Sequence, residues 1–434
     1  MRFEISKIGS GQTYEIRNIV AIAQKLEKHG IKVHYENIGD PVAKGEPLPG
    51  WMRETIKSVL ANDSAFAYCH TKGVTATREY LAKNNNKRGG CQITPEDIIF
   101  FNGLGDAIAR CYSALQIDAR VILPEPTYTT HFLSEIHHAS FPPITYKMLH
   151  NSCWHPDIAE MEKKVKSHPN IVGILVINPD NPTGFVYQKS TLEQIVKIAK
   201  RHNLFLIFDE TYINIVYNDK STALLSDVVG DVPAISMKSI SKDFPWPGAR
   251  CGWLEIYNGD KDPAFQRYID FIYHQKMSEV CSTTLPQVSI PLIMENPEYK
   301  NYMRERVEHY QKLSNIAFDT LKSNKYVIVN RTNGAFYFTV VFKDMLLNNR
   351  QSLKIENGEI EKLITSLCGD KLELDKRFVY NLLGATGICV VPLTSFSTSL
   401  QGFRMTLLEK DIPTFERIVR LIGEKITEYV ESAG

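Results

Sequence analysis

The 434-residue chain exceeds the ~250–300 residues at which one hydrophobic core usually stops growing, so two domains or one enlarged α/β domain is expected. Hydrophobic residues at 43%, charged residues at 23% and aromatics at 10% exclude a disordered chain, a collagen-like repeat and a disulfide scaffold. Fifty Lys and Arg against 49 Asp and Glu leave a net charge of +1, which excludes a global field drawing the molecule to nucleic acid or an anionic membrane.

In chain order, residues 13–29 place Ile16, Ile19, Val20, Ala23 and Leu26 at helical spacing before Gly30, which predicts a short amphipathic helix. Ile31, Val33 and Tyr35 then alternate ahead of the Gly39-Asp40-Pro41 turn, and the connector AKGEPLPG leads into a helix from about Trp51. From about residue 98 to 256 six short apolar runs read as buried strands: IIFF (98–101), ARVIL (119–123), IVGILVI (171–177), LFLIF (204–208), AISM (234–237) and CGWLEI (251–256). Their unbroken apolar character suits strands covered on both faces, hence a mostly parallel sheet. STLEQIVKIAKRHN lies between two of them, with Ser190 and Glu193 at capping-box spacing, which completes a βαβ pattern.

A helical stretch from Pro297 to about Ser323 leads to a second unit of α+β character. There YVIVNRTNGAFYFTVVF reads as two strands around a turn, followed by helices near 360 and 376, strands at ICVV and FRMTLL, and a closing helix from about Pro413 to Val430. The eight cysteines (Cys69, Cys91, Cys111, Cys153, Cys251, Cys281, Cys368, Cys389) form no CxxC pair and read as reduced thiols. His70 and His137-His138 have no partner at metal spacing, so no metal is expected. The first residues, MRFEISKIGSGQTYEIRN, carry no apolar leader core, and no run reaches the ~18 apolar residues of a membrane span, so a cytoplasmic protein is expected.

The polar residues that carry chemistry fall directly after predicted strands: Asn102-Gly103, Asn178 to Gly184, Asp209, and Ser239 to Lys242. Ligands of open α/β sheets bind in the crevice outside the carboxyl ends of the strands, so four segments converge on one site. In SISKDFPWPGARCG, Ser239, Ser241 and Arg250 supply the charge and donors a phosphate needs, beside the amine of Lys242. A lysine in a partly desolvated, cation-rich site loses its proton readily and forms a Schiff base with an aldehyde; read alone, the segment is equally a solvent-facing loop. Asp209, closing an apolar strand, needs a cationic or donor partner, which a protonated pyridine nitrogen or a helix N-terminus would equally supply. NPDNPTG by itself is turn chemistry, and FFNGLGDAIARC places a Gly-bearing loop ahead of a helix starting near Asp106, whose free N–H groups would face an anion.

Taken together, NPDNPTG, FDETY, SISKDFPWPGARCG and GFRMTLL occur in the order and spacing of the class I/II aminotransferases, and the chain resembles a pyridoxal phosphate enzyme of fold type I. The resemblance extends through IGDP (38–41), AYCHTKG (67–73), PEPTYTTH (124–131) and NGAFYF (333–338), and is nearest to the alanine-type and aspartate-type branches of class I. It implies that pyridoxal 5′-phosphate is held by Lys242, which also carries the proton, with Asp209 on the pyridine nitrogen. It implies Asn181 and Tyr212 at the ring oxygen, Tyr128 stacked on the ring, and Ser239, Ser241, Arg250 and the backbone amides of Leu104 and Gly105 on the phosphate. Arg404 would grip the substrate α-carboxylate, Gly39 would offer a backbone contact near the substrate, and Tyr68 would reach the neighbouring subunit's cofactor phosphate in a homodimer with shared sites.

The resemblance further implies a large cofactor domain over residues 50–305 and a small domain built from residues 306–434 and the N-terminal segment 1–49. The expected reaction is ping-pong transfer of an amino group between an amino acid and a 2-oxo acid, with glutamate and 2-oxoglutarate as the usual second pair. A lyase or synthase of the same fold, acting on carbon–sulfur bonds or forming an aminocyclopropane carboxylate, is the alternative, and product identity separates the two. A cofactor-sensing transcription regulator would need an appended basic DNA-binding unit, for which the charge pattern gives no sign.

Overall fold

The computed structural model describes residues 15–369 and 371–433. Five helices open the chain: Glu15–Glu27 (α1), Gly50–Leu60 (α2), Thr75–Asn86 (α3), Leu104–Ser113 (α4) and Thr129–Ala139 (α5). The first buries Ile19, Ile22, Ala23 and Leu26 on one face, as the periodicity predicts; residues 13 and 14 of the predicted helix lie outside the described residues. Of the alternating segment behind it, two residues form a strand, His34–Tyr35 (β1).

Eight strands make the principal sheet: Ile98–Phe101 (β2), Arg120–Glu125 (β3), Thr145–Leu149 (β4), His155–Pro156 (β5), Ile171–Ile177 (β6), Phe205–Asp209 (β7), Ala234–Ser239 (β8) and Gly252–Tyr257 (β9). Their spatial order is β2-β9-β8-β7-β6-β3-β4-β5, with β4, β3, β6, β7 and β8 mutually parallel. The apolar runs are continuous because both faces are covered. Ile98, Phe100, Ile174, Val176, Leu206 and Phe208 enter one core, while Ile99, Phe101, Leu175, Ile177, Phe205 and Ile207 enter another on the opposite side.

The 24-residue helix Glu298–Leu321 leads to a four-stranded antiparallel sheet. Its strands are Val327–Val329 (β10), Tyr337–Phe342 (β11), Val391–Pro392 (β13) and Gly402–Thr406 (β14), and Ile388–Cys389 (β12) pairs instead with β1 in parallel. A third core gathers Ile19 and Leu26 of α1 with Phe338, Phe378, Phe403, Ile418 and Ile422, so the N-terminal helix packs with C-terminal elements.

Three local expectations are corrected. The helix containing Ser190 and Glu193 begins one residue earlier, at Lys189, with Gln188 at its cap and no side-chain cap bond, so no capping box forms. Helix α4 starts at Leu104 rather than near Asp106, because Gly103 takes a positive φ of 85° that turns the chain into the helix at once. The last strand, β9, starts at Gly252 rather than Cys251 and runs antiparallel to β8 and β2. Among the described residues no helix is long and apolar enough to cross a membrane.

Candidate active site

Strands β3, β6, β7 and β8 end on one side of the sheet, at Glu125, Ile177, Asp209 and Ser239. The antiparallel β9 starts on that side, which brings the preceding Arg250 to the same place. A cavity of ≈ 710 Å³ opens there, lined by Gly39, Leu104, Gly105, Tyr128, Asn181, Asp209, Tyr212, Ser239, Ser241, Lys242, Arg250 and Arg404. Every residue expected at the site lines this one space except Tyr68, which stands 84% exposed on the surface of its own subunit.

One end of the cavity is built for an anion. Leu104 and Gly105 are the first two residues of the ten-residue α4, so their N–H groups have no intrahelical acceptor and sit at the positive end of its dipole. A Cβ at Gly103 would lie 2.5 Å from Nη2 of Arg250, so glycine is needed for the guanidinium to close on this helix start. Ser239 Oγ accepts from the backbone N–H of Ser241 at 3.0 Å and donates to Ser241 Oγ at 2.9 Å, which sets two hydroxyls side by side. A guanidinium, two hydroxyls and two free amides match the charge and acceptor oxygens of a phosphate monoester.

Lys242 lies one turn into the short helix that follows Ser239 and donates to the backbone carbonyl of Gly39. Loss of water is the main influence on its amine, which is brought down to about 8 with the help of the Arg404 and Arg250 charges and against Asp40 and Asp209. Gly39 itself has no room for a side chain, because a Cβ would fall on the hydroxyl of Tyr337.

Asp209 is buried, and its two carboxylate oxygens have different partners. Oδ1 accepts from Thr211 N–H at 3.1 Å and Thr211 Oγ1 at 2.6 Å, while Oδ2 faces Nε2 of His131 at 3.2 Å. A carboxylate so fixed at a strand end is suited to a cation in the cavity. In the NPDNPTG turn, Asp180 Oδ2 accepts from Thr183 N–H at 3.0 Å and from its hydroxyl, and burial pushes the Asp180 carboxyl up to about 7. The turn presents Asn181, whose Oδ1 accepts from Nη1 of Arg404 at 3.1 Å. Arg404 also donates to the carbonyl of Asn37 and stacks on Tyr337, its guanidinium carbon 4.4 Å from the ring centre. The Tyr212 hydroxyl bonds that of Tyr337 at 2.8 Å, and burial together with this neighbour holds its proton well above the usual phenol range.

Five residues not singled out from the sequence also belong to this site: His131, Thr211, Tyr337, Asn37 and Arg17. Three of them sit inside PEPTYTTH, FDETY and NGAFYF; Thr211 bonds Asp209 within its own turn, but His131 reaches Asp209 across 78 residues and Tyr337 reaches Tyr212 across 125. Arg17, exposed on α1, lines the mouth of the cavity. A set of donors for a phosphate, a carboxylate for a protonated ring nitrogen, an amine of lowered basicity and a guanidinium for a carboxylate thus share one space, and these groups fit pyridoxal phosphate with an amino acid beside it.

Comparison with known proteins points to one family. The sequence model of aminotransferase class I and II matches residues 37–420. An uncharacterized aminotransferase of Methanocaldococcus jannaschii is 53% identical over 433 residues, 100% of each chain. The glutamate-pyruvate aminotransferase AlaA of Escherichia coli is 32% identical over 280 residues, which is 64% of this chain and 67% of that one. Among solved structures, alanine aminotransferase from Pyrococcus furiosus superposes with a TM-score of 0.84 over 98% of this chain and 100% of its own, at 25% identity.

Proposed function

The chain belongs to the class I and II aminotransferase family, and we propose that it moves an amino group between an amino acid and a 2-oxo acid by a ping-pong route, with glutamate and 2-oxoglutarate as one pair. It is a fold type I enzyme and its cofactor is pyridoxal 5′-phosphate. Joined to an amino acid, that cofactor supplies an electron sink that lets the α-proton leave.

In this reading Ser239, Ser241, Arg250 and the amides of Leu104 and Gly105 hold the phosphate, and Tyr128 covers the ring. Asn181 and Tyr212 meet the ring oxygen, with the Tyr212 proton retained for donation. Asp209 keeps the pyridine nitrogen protonated, its charge held in place by Thr211 and His131. Arg404 takes the substrate α-carboxylate on its planar fork, exchanging its contacts with Asn181 and Asn37. Lys242, beside the Gly39 carbonyl, would hold the cofactor aldehyde through its amine and, when neutral, would serve as the base for the α-proton.

Support for the glutamate pair comes from Arg17, a third guanidinium lining the cavity besides Arg250 and Arg404, which suits the far carboxylate of a dicarboxylic substrate. The relative named glutamate-pyruvate aminotransferase points the same way. We further divide the chain into a large cofactor domain of residues 50–305 and a small domain of residues 306–434 joined by residues 1–49, in keeping with the pairing of β1 and β12. Two such chains would form a homodimer in which the outward Tyr68, two residues after the 71% exposed Phe66, completes the partner's phosphate site.

The observation that carries the reading is the convergence of Lys242, Asp209, Arg404 and the phosphate donors on one cavity. Holoenzyme mixed with glutamate alone should release one 2-oxoglutarate per site and no ammonia, and pyruvate or oxaloacetate should then restore the starting absorbance. Continuous ammonia release, the signature of a lyase, or no reaction with glutamate would overturn it.

A further inference from the structure

Behind Asp209, on the side away from the cavity, lies a hydrogen-bond relay that is longer than one residue. His131, in the first turn of α5, faces Asp209 Oδ2 with Nε2, and its other ring nitrogen, Nδ1, faces the hydroxyl of Tyr112 at 3.3 Å. Tyr112 belongs to α4, the helix whose first turn forms the anion end of the cavity, and its ring meets that of His131 edge-on with centroids 5.9 Å apart. All three side chains are buried: His131 is fully covered, Tyr112 is 1% exposed and Asp209 5%.

Proton counting decides which way these bonds run. A buried carboxylate accepts only, so its bond with His131 requires a proton on Nε2. The Tyr112 hydroxyl keeps its proton, since burial first and then the charges of Glu135, Cys111 and Asp209 hold it well above the usual phenol range. A buried O–H without an acceptor is costly, and Nδ1 is the acceptor within reach, so the hydroxyl donates to it. With Nδ1 accepting and Nε2 donating, the imidazole is neutral, and the pair His131 and Asp209 carries one full negative charge. A proton on Nδ1 would turn the Tyr112 hydroxyl around and leave its hydrogen without a partner.

We propose that Tyr112 is a positioning residue that locks His131 in the neutral Nε2–H tautomer and thereby preserves the negative charge of Asp209 at the cofactor end of β7. The inference rests on the reading of Asp209 as the partner of the pyridine nitrogen. Its consequence is that α4 serves the cofactor twice, with its first turn at the phosphate and with Tyr112 behind the ring.

The test begins on the apo-enzyme, whose readout does not depend on cofactor chemistry. With 15N-labelled histidine, the His131 signals are identified by their loss in His131→Phe. The wild type should show Nδ1 bare and Nε2 protonated, and Tyr112→Phe should shift the Nδ1 resonance and let Nδ1 take a proton, so that the doubly protonated ring, which cancels the charge of Asp209, appears beside the neutral one. A protonated Nδ1 in the wild type, or identical His131 signals in the two proteins, would overturn the proposal. In the holoenzyme Tyr112→Phe should lower the single-turnover rate of α-proton removal about fivefold, the scale of one neutral hydrogen bond, with KM unchanged. In the His131→Phe background the same substitution should cost nothing further, since Tyr112 acts through the imidazole. An equal loss in both backgrounds would mark Tyr112 as a packing residue and contradict the proposal. Asp209→Ala tests the underlying reading separately: if it leaves the rate unchanged, Asp209 has been misread, and the histidine spectra still decide the role of Tyr112.

Discussion

At the scale of single residues, the site depends on what its neighbours do to Lys242. Its amine, brought down to about 8, is neutral in about one molecule in ten at pH 7, against about one in three thousand for an ordinary lysine. The rate at which apo-enzyme takes up pyridoxal phosphate should therefore rise about tenfold per pH unit below pH 8 and level off above it. Stopped-flow absorbance follows this directly, and a rise continuing to pH 10 would show an unperturbed amine. Arg404 makes a complementary prediction, because a lysine keeps its charge but not its fork. Arg404→Lys should raise KM for amino and keto acids alike by about tenfold or more, measured as initial rates in both directions. The residues that could be read beforehand, Lys242, Asp209, Asn181 and Arg404, sit in motifs that order and spacing expose. Thr211 lies beside Asp209 in FDETY and bonds it locally, whereas His131, in PEPTYTTH, meets Asp209 only because α5 brings it to the end of β7 across 78 residues.

Among the elements, α4 carries the most function for its length. Gly103 holds φ 85° and ψ 160°, a conformation open to glycine almost alone, and leaves space for the Arg250 guanidinium. Gly103→Ala should strain this turn and push Arg250 from the helix start, weakening cofactor binding by about tenfold or more while the circular dichroism of the fold persists. Equilibrium dialysis against pyridoxal phosphate checks it. The strands that could be read were those with unbroken apolar runs, because burial on both faces leaves no polar alternation to confuse them. Strands β4 and β5 carry no such run: Thr145–Leu149 is interrupted by the exposed Lys147, and His155–Pro156 is too short to carry a pattern. The reversed direction of β9 has no mark in its apolar run, since strand sense is a property of the connections and not of the run itself.

For the whole molecule, we propose that one chain supplies the amine while a second copy helps hold the phosphate. The exposed Tyr68 gives this a direct test: dimers mixed from Lys242→Ala and Tyr68→Phe chains should regain activity above the sum of the parents, because one of their two sites has both residues intact. No gain after proven subunit exchange would mean that each chain builds its site alone. The chemistry itself turns on which lysine reacts. Lys238, four residues earlier, is also covered, but although burial opposes its charge, Glu255 at 2.8 Å and Glu210 at 3.7 Å hold its ammonium above the ordinary lysine range. It is a poor nucleophile where Lys242 is a good one. Borohydride reduction of the holoenzyme followed by peptide mapping therefore decides the account: the cofactor should be found covalently on Lys242, and its recovery on Lys238 or any other lysine would contradict it.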